Sequence, residues 1–156
     1  MNASELDLHG SKKVTALPNC LERFTRLFNQ MSSDHLGDLE GVYHKDVRFT
    51  DPFTTVGGLT ALKQYFEGAY CNVISCHFEF SKPIENGAEI CLPWIMTLQH
   101  RRLKGGDAIT VNGISHLVIT DNRIISHRDY FDAGELLYEN LPVLGGAVRW
   151  LRKHAS

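Results

Sequence analysis

Residues 123–132 read RIISHRDYFD, and the alternation along this stretch decides how the rest of the chain is read. In an extended strand, residues two apart share a face, so Ile125, His127, Asp129 and Phe131 fall on one side and Ile124, Ser126, Arg128 and Tyr130 on the other. A carboxylate is thereby set in phase with apolar neighbours. Burying an unpaired carboxylate is costly, so Asp129 calls for a partner or a chemical task.

Upstream the same alternation recurs. Residues 73–80, 88–100 and 108–120 read as strands separated by turns at Glu85-Asn86-Gly87 and Lys104-Gly105-Gly106-Asp107, and Asp121-Asn122 turns the chain into 123–132. Hairpin connections of this kind make antiparallel neighbours. Within 88–100, Ile90, Leu92, Trp94, Met96 and Leu98 share a face, and Pro93 predicts a bulge or an edge. The first part of the chain is helical. Leu21, Phe24, Leu27, Phe28 and Met31 recur at helical spacing from Pro18, which suits a first turn. A second short helix runs through Leu36, Leu39 and Val42, capped by Ser33 or Asp34 and ending near Tyr43 and His44. A strand at 46–51 then puts Val47, Phe49 and Asp51 on one face and is closed by Pro52. After a Gly57-Gly58 turn, residues 59–70 read as a helix with Leu62, Tyr65, Phe66 and Ala69 inward and Thr60 as its cap. Beyond Asp132 come one short helix, a break at Pro142, a turn at Gly145-Gly146 and an amphipathic end carrying Arg149, Arg152 and Lys153, basic residues that suit a last turn.

Helices first, one strand, a helix and then an antiparallel run make an α+β chain, with a bent sheet wrapped around the helices. At 156 residues and 43% hydrophobic, one domain with a real core is expected. The polar, unpatterned residues 1–16 are read as a flexible N-terminus, 17–140 as the domain and 141–156 as a C-terminal helical tail. A formal charge of -2, from 16 basic and 18 acidic residues, lacks the basic field that nucleic acid requires. No apolar run reaches the ~20 residues of a membrane span, and the amino terminus has no secretory core, so a soluble cytoplasmic protein is expected. Cys20, Cys71, Cys76 and Cys91 lack CxxC spacing and are read as reduced thiols in or near the core. The histidines show no metal-ligand spacing, and neither glycine pair follows the strand-to-helix pattern of a phosphate cradle. No metal and no cofactor are expected.

Three segments carry a family resemblance. Residues 37–66 (GDLEGVYHKDVRFTDPFTTVGGLTALKQYF), 108–120 (AITVNGISHLVIT) and 123–132 together resemble the SnoaL-like and ketosteroid-isomerase-like branch of the nuclear transport factor superfamily. The resemblance implies a cone-like, mostly antiparallel curved sheet around N-terminal helices, the cystatin-like roll of that superfamily, and a homodimer formed through the outer sheet face. In ketosteroid isomerases the aspartate ending the Asp-Pro strand is the proton-shuttling base, and that position is similar to Asp51 here. Their oxyanion donors fall at Phe24 and Ser115, and a phenyl ring cannot donate a hydrogen bond, so ordinary ketosteroid isomerisation is not implied. RIISHRDYFD is similar to the segment that carries a catalytic aspartate in limonene epoxide hydrolases, which matches Asp129. Their further arginine and aspartate have no counterpart in Cys91-Leu92-Pro93-Trp94-Ile95-Met96-Thr97, so that mechanism is not implied either. SnoaL-type cyclases chiefly need one pocket carboxylate, which this chain keeps.

Asp51, Asp129 and His127 are therefore the catalytic candidates, and Phe24, Phe49, Phe53, Tyr65, Trp94, Met96 and Ser115 the candidate contacts for a small hydrophobic molecule. Each has a plainer reading. Asp51 could only cap a turn, Asp129 could only be a paired structural carboxylate with His127 as its partner, and Ser115 could be a satisfied core hydroxyl. If Asp51 and Asp129 face one apolar cavity, desolvation and repulsion would raise at least one pKa and make an acid/base pair. The resulting expectation is a cofactor-independent isomerase, cyclase or hydratase acting on a steroid, terpenoid or polyketide-like molecule. The alternative is a noncatalytic ligand-binding or dimerising module.

Overall fold

The computed structural model describes residues 16–141 and 144–155. Of the residues 1–16 read as flexible, 1–15 lie outside the described residues, as does the break at Pro142; Ala16 is helical. Among the described residues the chain runs α1 (Ala16–Gln30), α2 (Leu39–Val42), β1 (Tyr43–Thr50), β2 (Thr55–Gly57), α3 (Leu59–Tyr70), β3 (Val73–Phe80), β4 (Ile84–Asn86), β5 (Glu89–His100), β6 (Ile109–Thr120), β7 (Arg123–Phe131), α4 (Ala133–Leu136) and α5 (Leu144–His154). The strands form one open sheet in the order β2-β1-β7-β6-β5-β3, with β4 also pairing β5. Only β1 and β7 pair in parallel; the hairpin neighbours β5, β6 and β7 are antiparallel as expected. The α+β architecture with N-terminal helices against a curved, mostly antiparallel sheet is thus the one found.

The core forms where α1 and α3 lie on the inner sheet face. Phe24, Leu27 and Phe28 of α1, with Met31 just past its end, are buried against Leu62 and Phe66 of α3 and against Ile90, Leu92, Trp94, Met96 and Leu98 of β5, all on one side of that strand. Two polar residues lock α1 in place. Arg23 donates to the carbonyls of Gly41 (3.0 Å) and Asn122 (2.6 Å), tying the helix to α2 and to the β6–β7 turn. Asn29 gives its amide N–H to Phe78 O (3.0 Å) and accepts from Phe78 N (2.8 Å). Because β3 is an edge strand, Asn29 thereby satisfies backbone groups that would otherwise offer a pairing template.

Several local expectations are corrected. The second helix is capped by Asp38, whose side chain accepts from Gly41 N, and not by Ser33 or Asp34; Gly37, at φ +76°, separates those residues from it. The helix ends where expected, with Tyr43 as its C-cap, and the same residue opens β1. The cap of α3 is Gly58, without a side-chain bond, in place of Thr60, and Ala69 is exposed where Tyr70 is buried. Gly145-Gly146 is the first turn of α5, not a loop turn. Cys71 is an exposed thiol; Cys20 is buried, and Cys76 and Cys91 are half-buried. Pro93 makes neither a bulge nor an outer edge, since β5 lies inside the sheet and pairs Ile114 of β6 without a shift. It falls where the other side of β5 changes partner from β4, whose pairing reaches Cys91, to β3, whose pairing starts at Trp94. At that gap a missing N–H costs no ladder bond. In β7 the register passes from Val118–Ser126 to Ile119–Ile124 and skips Ile125. This bulge turns Ile124 inward to full burial, although simple alternation puts it outside.

Candidate active site

The parallel register of β1 and β7 sets Phe49 beside His127 and Thr50 beside Arg128. One step further, Asp51 comes level with Asp129. Both carboxylates line an opening of about 410 Å³ together with Pro52, Arg128, Tyr130 and Phe131. Asp51 and Phe131 also line a second, more apolar space of about 340 Å³ between α3 and the ends of β3 and β5.

Asp51 does what its Asp-Pro context allows and more. Oδ1 accepts from the backbone N–H of Phe53 (2.8 Å) and Thr54 (2.9 Å), which is the turn-forming use of an aspartate. Oδ2 accepts the Tyr65 hydroxyl, which lies on the wall of the apolar space. Burial first, and the bond to Asp51 second, push the Tyr65 phenol far above its usual range, so it stays a proton donor.

Asp129 is served from the opposite side. Its cross-strand partner on β6 is Ser115, which donates to Oδ1 at 2.5 Å. His127 Nε2 stands 2.8 Å from the same oxygen, and its Nδ1 is 2.8 Å from the Tyr43 hydroxyl. Trp94 Nε1 donates to Ser115 Oγ at 2.9 Å. The indole reaches that point because it lies across Gly113, where a Cβ would stand 2.2 Å from the ring. Residue 113 must be glycine for the bond to form.

The direction of this chain of bonds follows from what each group can do. An indole N–H only donates, so Ser115 accepts from Trp94 and turns its own proton to Asp129. For His127 two directions are conceivable. If the imidazole donated from Nδ1, Tyr43 would have to accept, and its hydroxyl proton would be left without an acceptor among the described residues. Tyr43 is fully buried, and an unmade bond there carries a full desolvation penalty. The consistent assignment has Tyr43 donating to Nδ1 and a neutral His127 donating from Nε2 to an ionised Asp129. Burial, and next the charge of Asp129, hold the Tyr43 phenol well above its ordinary range, in keeping with a donor that never ionises. Oδ1 thus takes two donors. Among the described residues Oδ2 takes none, and the side chain, 15% exposed, is open toward the 410 Å³ space.

His127 itself never meets that space. Its side chain has no exposed surface, and rings enclose it: Phe49 edge-on at 4.9 Å, Phe24 at 5.3 Å, Phe28 at 5.9 Å, and Tyr43 stacked at 5.9 Å. Of the residues that the sequence nominates as contacts, Phe53, Tyr65 and Met96 line the apolar space. Phe24, Phe49, Trp94 and Ser115 are buried behind it and line neither opening. Sequence reasoning missed Tyr43, although its parity with Val47 and Phe49 would have found it had the strand been extended backward. It also missed Tyr70, Cys76 and His100 on the far wall, where no local motif marks them. Among the described residues, no three metal-ligating side chains converge. Tyr43→Phe removes the donor to Nδ1 inside an aromatic shell and is expected to cost about 1–3 kcal/mol in urea unfolding; a variant as stable as its parent would remove Tyr43 from this network.

Comparison with other proteins agrees with the fold. No curated protein matches the sequence significantly. Among solved structures, a protein of ketosteroid-isomerase-like fold from Catenulispora acidiphila, in complex with trimethylamine, superposes with a TM-score of 0.67 at 16% identity, over 80% of this chain and 95% of that one. TsrD from Streptomyces laurentii gives 0.66 at 16%, over 83% and 96%. TerC, co-crystallized with polyporic acid, gives 0.63 at 15%, over 76% and 92%. At such identities the likeness speaks to the fold alone. The model of the SnoaL-like domain matches residues 21–127, which is most of the chain, and the protein therefore belongs to the SnoaL-like family.

Proposed function

We propose that this protein is a cofactor-independent acid/base catalyst acting on a small hydrophobic molecule, with Asp129 as the base. The observation that carries the reading is the asymmetry of the Asp129 carboxylate: Oδ1 is held by Ser115 and His127, while Oδ2 borders an opening shared with Asp51. A carboxylate oriented in this way can take a proton from a carbon next to a carbonyl and return it elsewhere on the same skeleton. His127 is too deeply buried to touch substrate and serves as a positioning residue. Asp51, held by the Tyr65 hydroxyl and two backbone N–H groups, faces the reacting molecule from across the opening as a second carboxylate. Isomerisation, aldol ring closure and hydration all fall within this chemistry, and steroid, terpenoid or polyketide-like skeletons suit the apolar wall. TerC, of the same fold, holds polyporic acid, which supports the size and character of such a ligand. Proton transfer is all that the carboxylates supply in each of these reactions, and no cofactor enters the proposal.

A noncatalytic ligand carrier is favoured by one feature, the filled inner end of the sheet, where aromatic rings pack around His127. Deuterium exchange separates the two. Polycyclic ketones that raise the melting temperature of the protein are incubated with it in D2O, and label at the carbon beside the carbonyl is read by mass spectrometry. The catalytic reading expects label above the buffer rate and a loss of about 10²-fold or more in Asp129→Asn. Ligand-induced stabilisation with no exchange for any compound would establish a carrier.

We further propose a homodimer through the outer sheet face. Ile114 and Tyr130 are register partners on β6 and β7 and are both exposed, with Ile95 exposed nearby on β5. Contiguous apolar exposure of this kind marks association surfaces. Light scattering is expected to give twice the chain mass, falling to the chain mass in Ile114→Lys; a monomeric parent would refute the proposal.

A further inference from the structure

The 340 Å³ space has an apolar wall of Val73, Met96, Leu98 and Leu103, with Asp51, Tyr65, Tyr70, Cys76 and His100 as polar groups set into it. In the β3–β5 register Cys76 is level with Leu98, and Val73 with His100, the last residue of β5. Regular geometry spreads these groups along the space. Tyr65 and Tyr70 are five residues apart on α3, a rise of about 7.5 Å, and Met96 and His100 are four apart on β5, about 13 Å. Tyr70, Cys76 and His100 are not equally available as partners. Burial pushes the Cys76 thiol up to about 11, which makes it a poor nucleophile at neutral pH. His100 is different. Its Nδ1 accepts the Arg102 backbone N–H at 3.2 Å, so the proton of the neutral ring sits on Nε2, and among the described residues nothing accepts it. Burial, with the Arg102 charge second, lowers the pKa of His100, which favours that neutral donor form.

We propose that this space selects elongated apolar molecules ending in a neutral hydrogen-bond acceptor such as a carbonyl, which His100 Nε2–H receives while the opposite end lies against Asp51 and Tyr65. The inference rests on the reading of this site as a ligand cavity and adds the substrate's polarity pattern and a specificity-determining residue. A donor on the wall of an apolar channel favours skeletons that bring it an acceptor over those that do not. A second consequence is orientation: with one acceptor anchored at His100, the same end of every substrate is delivered to Asp51, the carboxylate that lines both spaces.

Two fluorescent probes test it, 2-naphthol and 6-acetyl-2-naphthol, which share a skeleton and a hydroxyl for Asp51 and differ in the distal carbonyl. Fluorescence titration of the full chain is expected to show the acetyl probe binding about three- to tenfold more tightly, the worth of one neutral hydrogen bond. The preference is expected to vanish in His100→Phe and to return in His100→Gln, which restores an N–H donor. If both probes bind with equal affinity, or if His100→Phe keeps the preference, the assignment of His100 is overturned while the ligand cavity stands. If neither probe binds, the cavity reading and this inference fall together.

Discussion

His127 is sealed from water, and the rest of the site depends on how its two ring nitrogens are satisfied. A buried imidazole must find a partner for each nitrogen or lose the corresponding desolvation energy. Here the Tyr43 hydroxyl meets one and Asp129 the other, both at 2.8 Å. The same two bonds fix the tautomer and the charge of Asp129, and they decide which of its oxygens is left to act. Aromatic edges around the ring hold it against rotation, so the carboxylate is positioned by packing as much as by hydrogen bonding.

The fold supplies each partner through strand register. Ser115 meets Asp129 because β6 and β7 pair at that position, and Asp51 meets Asp129 because β1 and β7 run in parallel in phase. Tyr43 reaches His127 only because β1 begins at the end of α2 without an intervening loop. Trp94 completes the set by lying across Gly113, an approach that a side chain at that position would forbid. The geometry of the candidate site therefore sits on strands and not on loops, and this is the kind of support that keeps a site rigid. The turn carrying Asp51 is the exception, and there two backbone N–H groups and Tyr65 hold the side chain.

Much of this was legible in the residues. The alternation of RIISHRDYFD put His127 and Asp129 on one inward face, and the phase of Val47 and Phe49 carried Asp51 to the same end of the sheet. Periodicity also found α1, α3 and the four long strands, because each buries one face and exposes the other. Short elements escaped it: β2 and β4 are three residues each and too brief to show a period. Ile124 defeated the alternation rule because a bulge is a property of the strand pair, not of either strand alone. Tyr43 and His100 were missed for a related reason. Their roles arise from partners 84 residues away in one case and from the shape of a cavity in the other, and no local spacing encodes either.

The central claim is that an ionised Asp129 faces a neutral, Nε2-protonated His127. Nitrogen-15 NMR of the histidine-labelled protein at neutral pH, with the His127 signals assigned by their loss in His127→Gln, reads this directly. The account predicts a protonated Nε2 and a bare, hydrogen-bond-accepting Nδ1. A proton on Nδ1, in either a neutral or a cationic ring, would reverse the chain of bonds and contradict it.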